Sequence, residues 1–127
     1  EASPLVLTVT SFGYKYGVPT EADLVFDCRF LPNPNFVPRL KPLTGNEKAV
    51  IAYMNRQPHT ERFLKRLDDF LGYVIPQYVH EGKSYLTVAI GCTGGRHRSV
   101  MLTNALARRL EEKGYPVRVR HRDVRQA

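Results

Sequence analysis

The fold class follows from residues 84–99, which run SYLTVAIGCTGGRHRS. The apolar and β-branched residues from Ser84 to Ile90 predict a buried strand. The segment from Gly91 to Gly95 predicts a sharp turn, and the apolar spacing from Arg96 to Lys113 predicts an amphipathic helix. Gly114 is placed to end that helix in the left-handed conformation. A strand, a glycine turn and a helix in this order are typical of an α/β protein.

The rest of the chain repeats this alternation of strands and helices. Further strands are predicted at Leu5 to Thr10, Leu24 to Cys28 and Pro116 to His121, and further helices at Asn46 to Asn55 and Thr60 to Tyr78. A long loop from Phe30 to Lys48 contains Pro32, Pro34, Pro38 and Pro42, and this density of proline excludes both helix and central strand. We therefore predict an α/β domain with a mainly parallel sheet flanked by helices.

Length and composition predict one domain over residues 1–127. The 127 residues are 43% hydrophobic and 24% charged, which is enough to form a compact core. No apolar stretch approaches the roughly 18 residues of a membrane span, so no membrane association is expected. Residues Glu1 to Pro4 show neither an initiator Met nor a signal peptide, and we expect the chain to begin within a longer protein. Cys28 and Cys92 are therefore expected to be reduced thiols in the cytoplasm.

Positive charge is concentrated near the C-terminus. The chain has 19 basic and 12 acidic residues, a net charge of +7, and residues 91–127 carry nine of the basic and three of the acidic ones. In the predicted last strand, Arg118 and Arg120 share the face opposite Val117 and Val119, and Arg122 continues their spacing. Such a row suits nucleic acid or another polyanion, although a solvated basic face has the same sequence.

The turn after the strand ending at Ile90 has the features of an anion site. In an open parallel sheet, ligands bind at this edge, where the N–H groups and dipole of a helix N-terminus attract negative charge. Glycines would let the backbone approach an oxyanion, and hydroxyl, imidazole and guanidinium groups would surround it: Thr93, Gly94, Gly95, Arg96, His97, Arg98 and Ser99. A bound phosphate is expected. The alternative is a tight turn with Thr93 capping an arginine-rich helix start.

The spacing from Cys92 to Arg98 and Ser99 also matches cysteine-dependent phosphatases. In those enzymes the cysteine is the nucleophile and the arginine holds the phosphoryl oxygens, and a helix N-terminus would lower the pKa of Cys92. The preceding residue is Gly91 rather than the usual histidine, and Asp27 is the one obvious acid at the same sheet edge. Phosphatase activity is therefore the alternative to a domain without catalytic residues.

Asp27 ends the second predicted strand and would lie at the same edge as Cys92. Its carboxylate would repel phosphate but suits a hydroxyl or ammonium group elsewhere on the same ligand. The loop at Asp27 and the turn after Ile90 together therefore indicate a zwitterionic sugar phosphate. An ion pair with Arg29 or Arg39 is the structural alternative. No metal site is predicted, because the potential ligands lack paired spacing: Cys28, Cys92, His97 and His121.

The sequence resembles the C-terminal domain of the RapZ-type RNase adapter proteins. The resemblance spans nearly the whole chain and rests on four motifs: Ser11 to Gly17, Asp27 to Pro34, Leu43 to Gly45 and Ser84 to Val100. It implies a fold like a phosphofructokinase subdomain. It also implies an N-terminal P-loop domain, absent from this chain, that would bind ATP or GTP, whereas no cofactor is expected in this part.

The resemblance further implies a role in regulating amino-sugar metabolism. Glucosamine-6-phosphate would be the ligand, and the domain would bind small regulatory RNA and present it to an endoribonuclease, with homo-oligomerisation through the absent domain. Carried over by position, the sugar-phosphate residues would be Asp27, Ser84, Cys92, Thr93, Gly94, Gly95, His97 and Arg98. The residues expected to contact RNA are Lys113, Arg118, Arg120, Arg122 and Arg125. Residues 123–127 depart from the basic ending of the enterobacterial members.

Overall fold

The computed structural model describes residues 5–126, so Glu1 to Pro4 and Ala127 lie outside the part of the chain described below. Its strands are β1 (Val6–Gly13), β2 (Leu24–Asp27), β3 (Tyr85–Cys92) and β4 (Val117–His121), and its helices are α1 (Lys48–Asn55), α2 (Pro58–Glu81) and α3 (Arg98–Glu112). All strand pairs are parallel, in the order β2-β3-β1-β4. The prediction of an α/β domain with a parallel sheet flanked by helices is confirmed.

The three helices cover one face of the sheet, as the direction of the chain crossings requires. The connections from β2 to β3 and from β3 to β4 move the same way across the sheet, whereas β1 to β2 moves the opposite way. Crossovers between parallel strands are right-handed, so the connections from β2 to β3 and from β3 to β4 lie on one face of the sheet, and the connection from β1 to β2 lies on the other. The three α-helices all belong to the connections from β2 to β3 and from β3 to β4.

Strand alternation places the hydrophobic core under these helices. Leu7, Val9, Val88 and Ile90 occupy alternate positions of β1 and β3, and all belong to one buried cluster with the apolar sides of the helices. On β2, Phe26 makes an edge-to-face contact with Phe70 of α2 at a centroid distance of 6.1 Å. This packing fixes the sheet edge from which α3 begins.

The connection from β1 to β2, which contains no α-helix, crosses the opposite face of the sheet. This connection starts with a 3-10 turn at Tyr14–Tyr16 and ends where Asp23 N–H donates to Thr87 O at 2.9 Å. Midway, Glu21 lies 3.8 Å from Arg120 of β4. The connection therefore partly covers the face on which the outward arginines of β4 lie.

Element boundaries differ from those predicted at several helix ends. Helix α2 continues to Glu81 rather than Tyr78, because the residue that ends it in the left-handed conformation is Gly82, at φ 101°. Helix α3 begins at Arg98 rather than Arg96, since residues 93–97 form bends. None of the helices within residues 5–126 is both long enough and apolar enough to cross a bilayer.

The proline-rich loop is ordered and is fastened to the turn before α3. Leu31 and Leu40 are buried in the core. Gly45 N–H donates to Arg96 O at 2.9 Å, and a Cβ atom at Gly45 would collide with His97 O. These contacts hold the loop beside the carboxyl edge of the sheet.

Candidate functional site

The candidate site lies where three strands end together. Residue pairing places Gly13 of β1 beside Cys92 of β3, and Asp27 of β2 beside Gly91. The turn of residues 93–97 then leads directly into α3. The predicted edge of the sheet is therefore the edge at which these segments converge, which is where open parallel sheets bind ligands.

Two neighbouring glycines have different roles in this turn. Gly95 has a φ of 76°, and a Cβ atom there would lie 2.5 Å from Gly13 N, so only glycine fits. Gly94 has no such restriction, since a Cβ atom placed there would have open space around it among residues 5–126. Gly95 permits the turn itself, whereas Gly94 leaves open space above it.

The start of α3 offers backbone donors to an anion. Among the described residues, the side chain of the preceding residue His97 caps none of the first N–H groups, and the first turn has no acidic residue. The helix has 15 residues, so its N-terminus carries the full positive end of the dipole. An anion at this end would be stabilised by both effects.

Hydrogen-bonding groups surround the Cys92 sulfur at the base of the turn. A hydrogen bond from the Cys28 thiol is the largest cause that lowers the pKa of Cys92 to about 4, with burial opposing the change. Ser99 Oγ lies 3.1 Å from the sulfur and Gly95 N–H donates to it at 3.3 Å. Cys92 is therefore a thiolate at neutral pH, in contrast to Cys28, whose pKa is raised chiefly by burial.

Arg98 joins the turn to the proline-rich loop. Its guanidinium is buried and donates from Nη1 to the carbonyl oxygens of Arg29 at 2.8 Å and Leu31 at 2.9 Å. From Nη2 it reaches Thr93 Oγ1 at 3.4 Å. A guanidinium has five N–H donors, so these contacts still leave capacity for an anion in the turn.

A cavity of about 210 Å³ opens over this turn. Six residues predicted from the sequence to surround an anion or ligand line it: Cys92, Thr93, Gly94, Arg96, His97 and Arg98. The prediction of the ligand site omitted several other lining residues: Lys15, Tyr16, Asn33, Asn35 and Gln126. Lys15 follows the end of β1 at the same sheet edge, and the two asparagines flank Pro34 in the loop, so strand order together with polar loop residues could have indicated them.

His97 contributes no positive charge to the cavity. Its Nε2 lies 3.2 Å from Leu40 O, to which it donates, and burial lowers the pKa of the imidazole. The ring is therefore neutral at physiological pH, and its hydrogen bond to Leu40 O holds the proline-rich loop against the turn before α3.

Asp27 lies at the predicted edge but is engaged in an ion pair. Its carboxylate accepts a bidentate bond from the Arg29 guanidinium, with a shortest distance of 2.7 Å, and this bond lowers the pKa of Asp27. The Arg29 guanidinium in turn lies 3.8 Å from the ring centroid of Tyr14. Asp27 does not line the cavity. The structure instead contains the ion pair between Asp27 and Arg29 that was the structural alternative.

Ser84 and Gly95 do not line the cavity with the other predicted residues. Ser84 precedes β3, whereas Cys92 ends it, so roughly 26 Å of strand separates them at about 3.3 Å per residue. A single sugar phosphate cannot contact both ends, and Ser84 is therefore left out of the site. Gly95 is buried below the turn and shapes it from beneath.

The predicted basic surface is divided in the structure. Arg118 and Arg120 are exposed on β4, but β4 ends at His121, so Arg122 does not continue their row. Arg122 instead pairs with the buried Asp123 at 2.8 Å and donates to Gly17 O at 2.6 Å. Lys113 pairs with Asp68 at 2.7 Å, and Arg125 is exposed. Three of the five cations therefore have an acidic partner within residues 5–126: Lys113, Arg120 and Arg122.

No group of three or more metal-ligating side chains occurs within the described part of the chain.

Comparison with known proteins identifies the relatives of the chain. A family model described as the RapZ C-terminal domain matches residues 5–125. A nucleotide-binding protein of Acidobacterium capsulatum is 54% identical over 97% of this chain, and one of Anaeromyxobacter sp. (strain K) is 57% identical over 98% of it. The chain spans 40% and 42% of the lengths of these two relatives. It belongs to the RapZ C-terminal domain family.

Proposed function

We propose that this chain is a non-catalytic binding domain whose cavity holds a sugar phosphate, with glucosamine-6-phosphate as the ligand. The observation that carries this proposal is the convergence, around one cavity, of the open Gly94, the uncapped start of α3 and the side chains of Lys15 and Arg98. Each of these features favours a phosphate group, and together they provide the charge that a dianion needs.

The remainder of the cavity suits the sugar. Asn33 and Asn35 have amide groups that can donate to and accept from hydroxyls, and both line the cavity. The Asp27 carboxylate lies at the same edge of the sheet and stays ionised because its pKa is lowered by Arg29. An ammonium group on the sugar would compete with Arg29 for this carboxylate, which is the basis for preferring an amino sugar.

The same geometry argues against turnover of the phosphate. A phosphatase needs an acid to protonate the leaving oxygen, and the lowered pKa of Asp27 keeps it from holding a proton at neutral pH. The side chain of Cys92 is only 3% exposed. Cysteine-dependent phosphatase activity is the second candidate function, favoured by the Cys92 thiolate and Arg98. Hydrolysis of an aryl phosphate that disappears in Cys92→Ser would establish it.

The RNA-binding role is proposed for the exposed arginines Arg118, Arg120 and Arg125. The first two are adjacent outward residues of an edge strand, and such a row can follow a phosphate backbone. For the whole protein we propose a cytoplasmic RNase adapter that regulates amino-sugar metabolism. It would present small regulatory RNA to an endoribonuclease, form homo-oligomers, and bind ATP or GTP outside this domain.

A thermal-shift series tests the ligand assignment. Glucosamine-6-phosphate should stabilise the domain more than glucose-6-phosphate or inorganic phosphate, and a ligand at 100 times its Kd adds about 2.7 kcal/mol. Lys15→Ala should reduce the shift, whereas Lys65→Ala, which removes an exposed lysine of α2, should leave it unchanged. Equal shifts for the two sugars would contradict the role of Asp27, and no shift for any ligand would contradict the proposal.

A further inference from the structure

Cys28 and Cys92 are buried side by side below the cavity. The last registered pair of β2 and β3 is Asp27 with Gly91, and Cys28 N–H extends this ladder by donating to Gly91 O at 2.9 Å. Cys28 therefore stands opposite Cys92. Neighbouring strands lie about 4.8 Å apart, which is within the range of about 4.4–6.8 Å between the Cα atoms of disulfide-bonded cysteines.

The two side chains also point the same way. Both belong to the single buried cluster on the helix-covered face of the sheet. The thiol of Cys28 lies 3.1 Å from Gly91 O, the carbonyl of the residue that precedes Cys92. Both cysteines are free thiols in this structure. A disulfide between them therefore needs side-chain rotation rather than movement of the strands.

The two sulfurs differ in access and in reactivity. Cys92 is 3% exposed and lines the cavity, which a molecule as small as hydrogen peroxide can enter, whereas Cys28 is 0% exposed. Cys92 is the thiolate of the pair, because Cys28, Ser99 and Gly95 stabilise its charge. Thiolates react with peroxides and thiols do so far more slowly. The position of Cys92 at the cavity and its ionisation therefore both favour Cys92 over Cys28 as the sulfur that is oxidised first.

We propose that Cys28 and Cys92 form a reversible disulfide, in which Cys92 is the sulfur that hydrogen peroxide oxidises and Cys28 is the sulfur that resolves it. In the first step the Cys92 thiolate forms an S–O bond, the peroxide O–O bond breaks and hydroxide leaves. In the second step the Cys28 sulfur attacks the Cys92 sulfenic acid. The S–S bond forms and the S–O bond breaks.

The protons and electrons balance across the two steps. The Cys28 proton leaves with the second hydroxide as water, and a solvent proton converts the first hydroxide to water. The two cysteines together lose two electrons, which reduce one peroxide molecule. Because the disulfide is neutral, oxidation removes the negative charge below the cavity. It also weakens the hydrogen bonds that Gly95 N–H and Ser99 O–H make to this sulfur in the reduced form, because a neutral disulfide sulfur is a poorer acceptor than a thiolate.

Peroxide treatment of the wild-type chain tests this directly. Both free thiols should disappear, the mass of the chain should fall by two hydrogen atoms, and dithiothreitol should restore both thiols. The product should remain a monomer-sized band on a non-reducing gel. Retention of both thiols at a peroxide concentration that oxidises glutathione would overturn the proposal, as would an intermolecular disulfide.

Single variants test the assigned roles. In Cys28→Ser and in Cys28→Ala, Cys92 should stop at the sulfenic acid and be labelled by dimedone. In Cys92→Ser, the remaining Cys28 should stay reduced under the same treatment. Labelling of Cys28 by dimedone, or the absence of label on Cys92 in both folded Cys28 variants, would overturn the assignment. The wild-type thiol count and mass decide the question if a variant does not fold.

Discussion

Gly13 and Gly95 pack against each other so closely that a Cβ atom on Gly95 would lie 2.5 Å from the backbone nitrogen of Gly13. This contact joins the end of β1 to the turn before α3, the turn over which the candidate phosphate cavity opens. The Gly13 N–H group is in turn bound by the Asp123 carboxylate at 2.8 Å. The shape of the cavity therefore depends on backbone packing as well as on the side chains that line it.

The two glycines of the turn should respond differently to substitution. Gly95→Ala forces an alanine to adopt φ 76° against Gly13, and we expect it to destabilise the domain by at least about 1–3 kcal/mol. Gly94→Ala places its methyl group in open space and should change stability by less than about 0.5 kcal/mol. Urea unfolding of both variants measures this. Equal destabilisation would show that the turn is packed differently.

Two aspartates that pair with arginines should differ in their contribution to stability. Asp123 is buried and accepts from Gly13 N–H and Arg122, so Asp123→Ala leaves a buried donor unsatisfied and should cost at least about 2 kcal/mol. The pair of Asp27 with Arg29 is about half exposed, and Asp27→Ala should cost at most about 1 kcal/mol. Chemical denaturation compares them. A larger loss for Asp27→Ala would contradict the structure.

RNA binding through β4 should depend on salt. Each phosphate contact contributes about −0.7 to the log–log salt slope on single strands, so Arg118→Ala/Arg120→Ala should reduce its magnitude by about 1.4. A fluorescence salt titration with single-stranded RNA measures the slope.

The matched control for this titration is Arg62→Ala/Arg66→Ala, which removes the same charge from exposed positions of α2. We expect it to retain the wild-type slope. If both double variants lose affinity equally, binding follows net charge alone and β4 is not an RNA surface.

Stability should depend on pH through Cys92. Its folded pKa of about 4 lies below the ordinary value of 9.0, so its stabilising contribution is fully present above pH 9 and is lost as pH falls toward 4. The slope is at most about 1.4 kcal/mol per pH unit. Cys92→Ser has no ionisable group there and should lack this component. Free energies of unfolding of both proteins between pH 5 and pH 8 measure the difference, and parallel curves would contradict a Cys92 thiolate.

The sequence was sufficient to predict the parallel sheet and the edge at which the site lies. The run from Tyr85 to Ile90, followed by a glycine turn and an amphipathic segment, allows few other structures. Residue spacing also predicted that Cys92, Thr93 and Arg98 lie together, as they do in the lining of the cavity, because they end or follow a single strand. Local pattern carries this information without knowledge of the remaining chain.

Long-range contacts were beyond the reach of the sequence pattern. Lys15 and Asn33 reach the cavity only because β1, β3 and the proline-rich loop meet there, and this depends on strand order. Ser84 was placed in the site although it lies at the far end of β3. Arg122 fits the alternating pattern of β4, but its pairing with Asp123 turns it away from the row. Such pairings follow from tertiary structure rather than from residue spacing.

Calorimetric titration of glucosamine-6-phosphate into the wild-type domain and into Gly94→Ala tests the proposed sugar-phosphate site most directly. We expect saturable binding of one ligand per wild-type chain. In Gly94→Ala the added methyl group occupies the space above the turn, so affinity should fall by about tenfold or more, equivalent to about 1.4 kcal/mol, while the melting temperature without ligand stays unchanged. Equal affinity in the two proteins, or no binding to the wild-type domain, would contradict the site described.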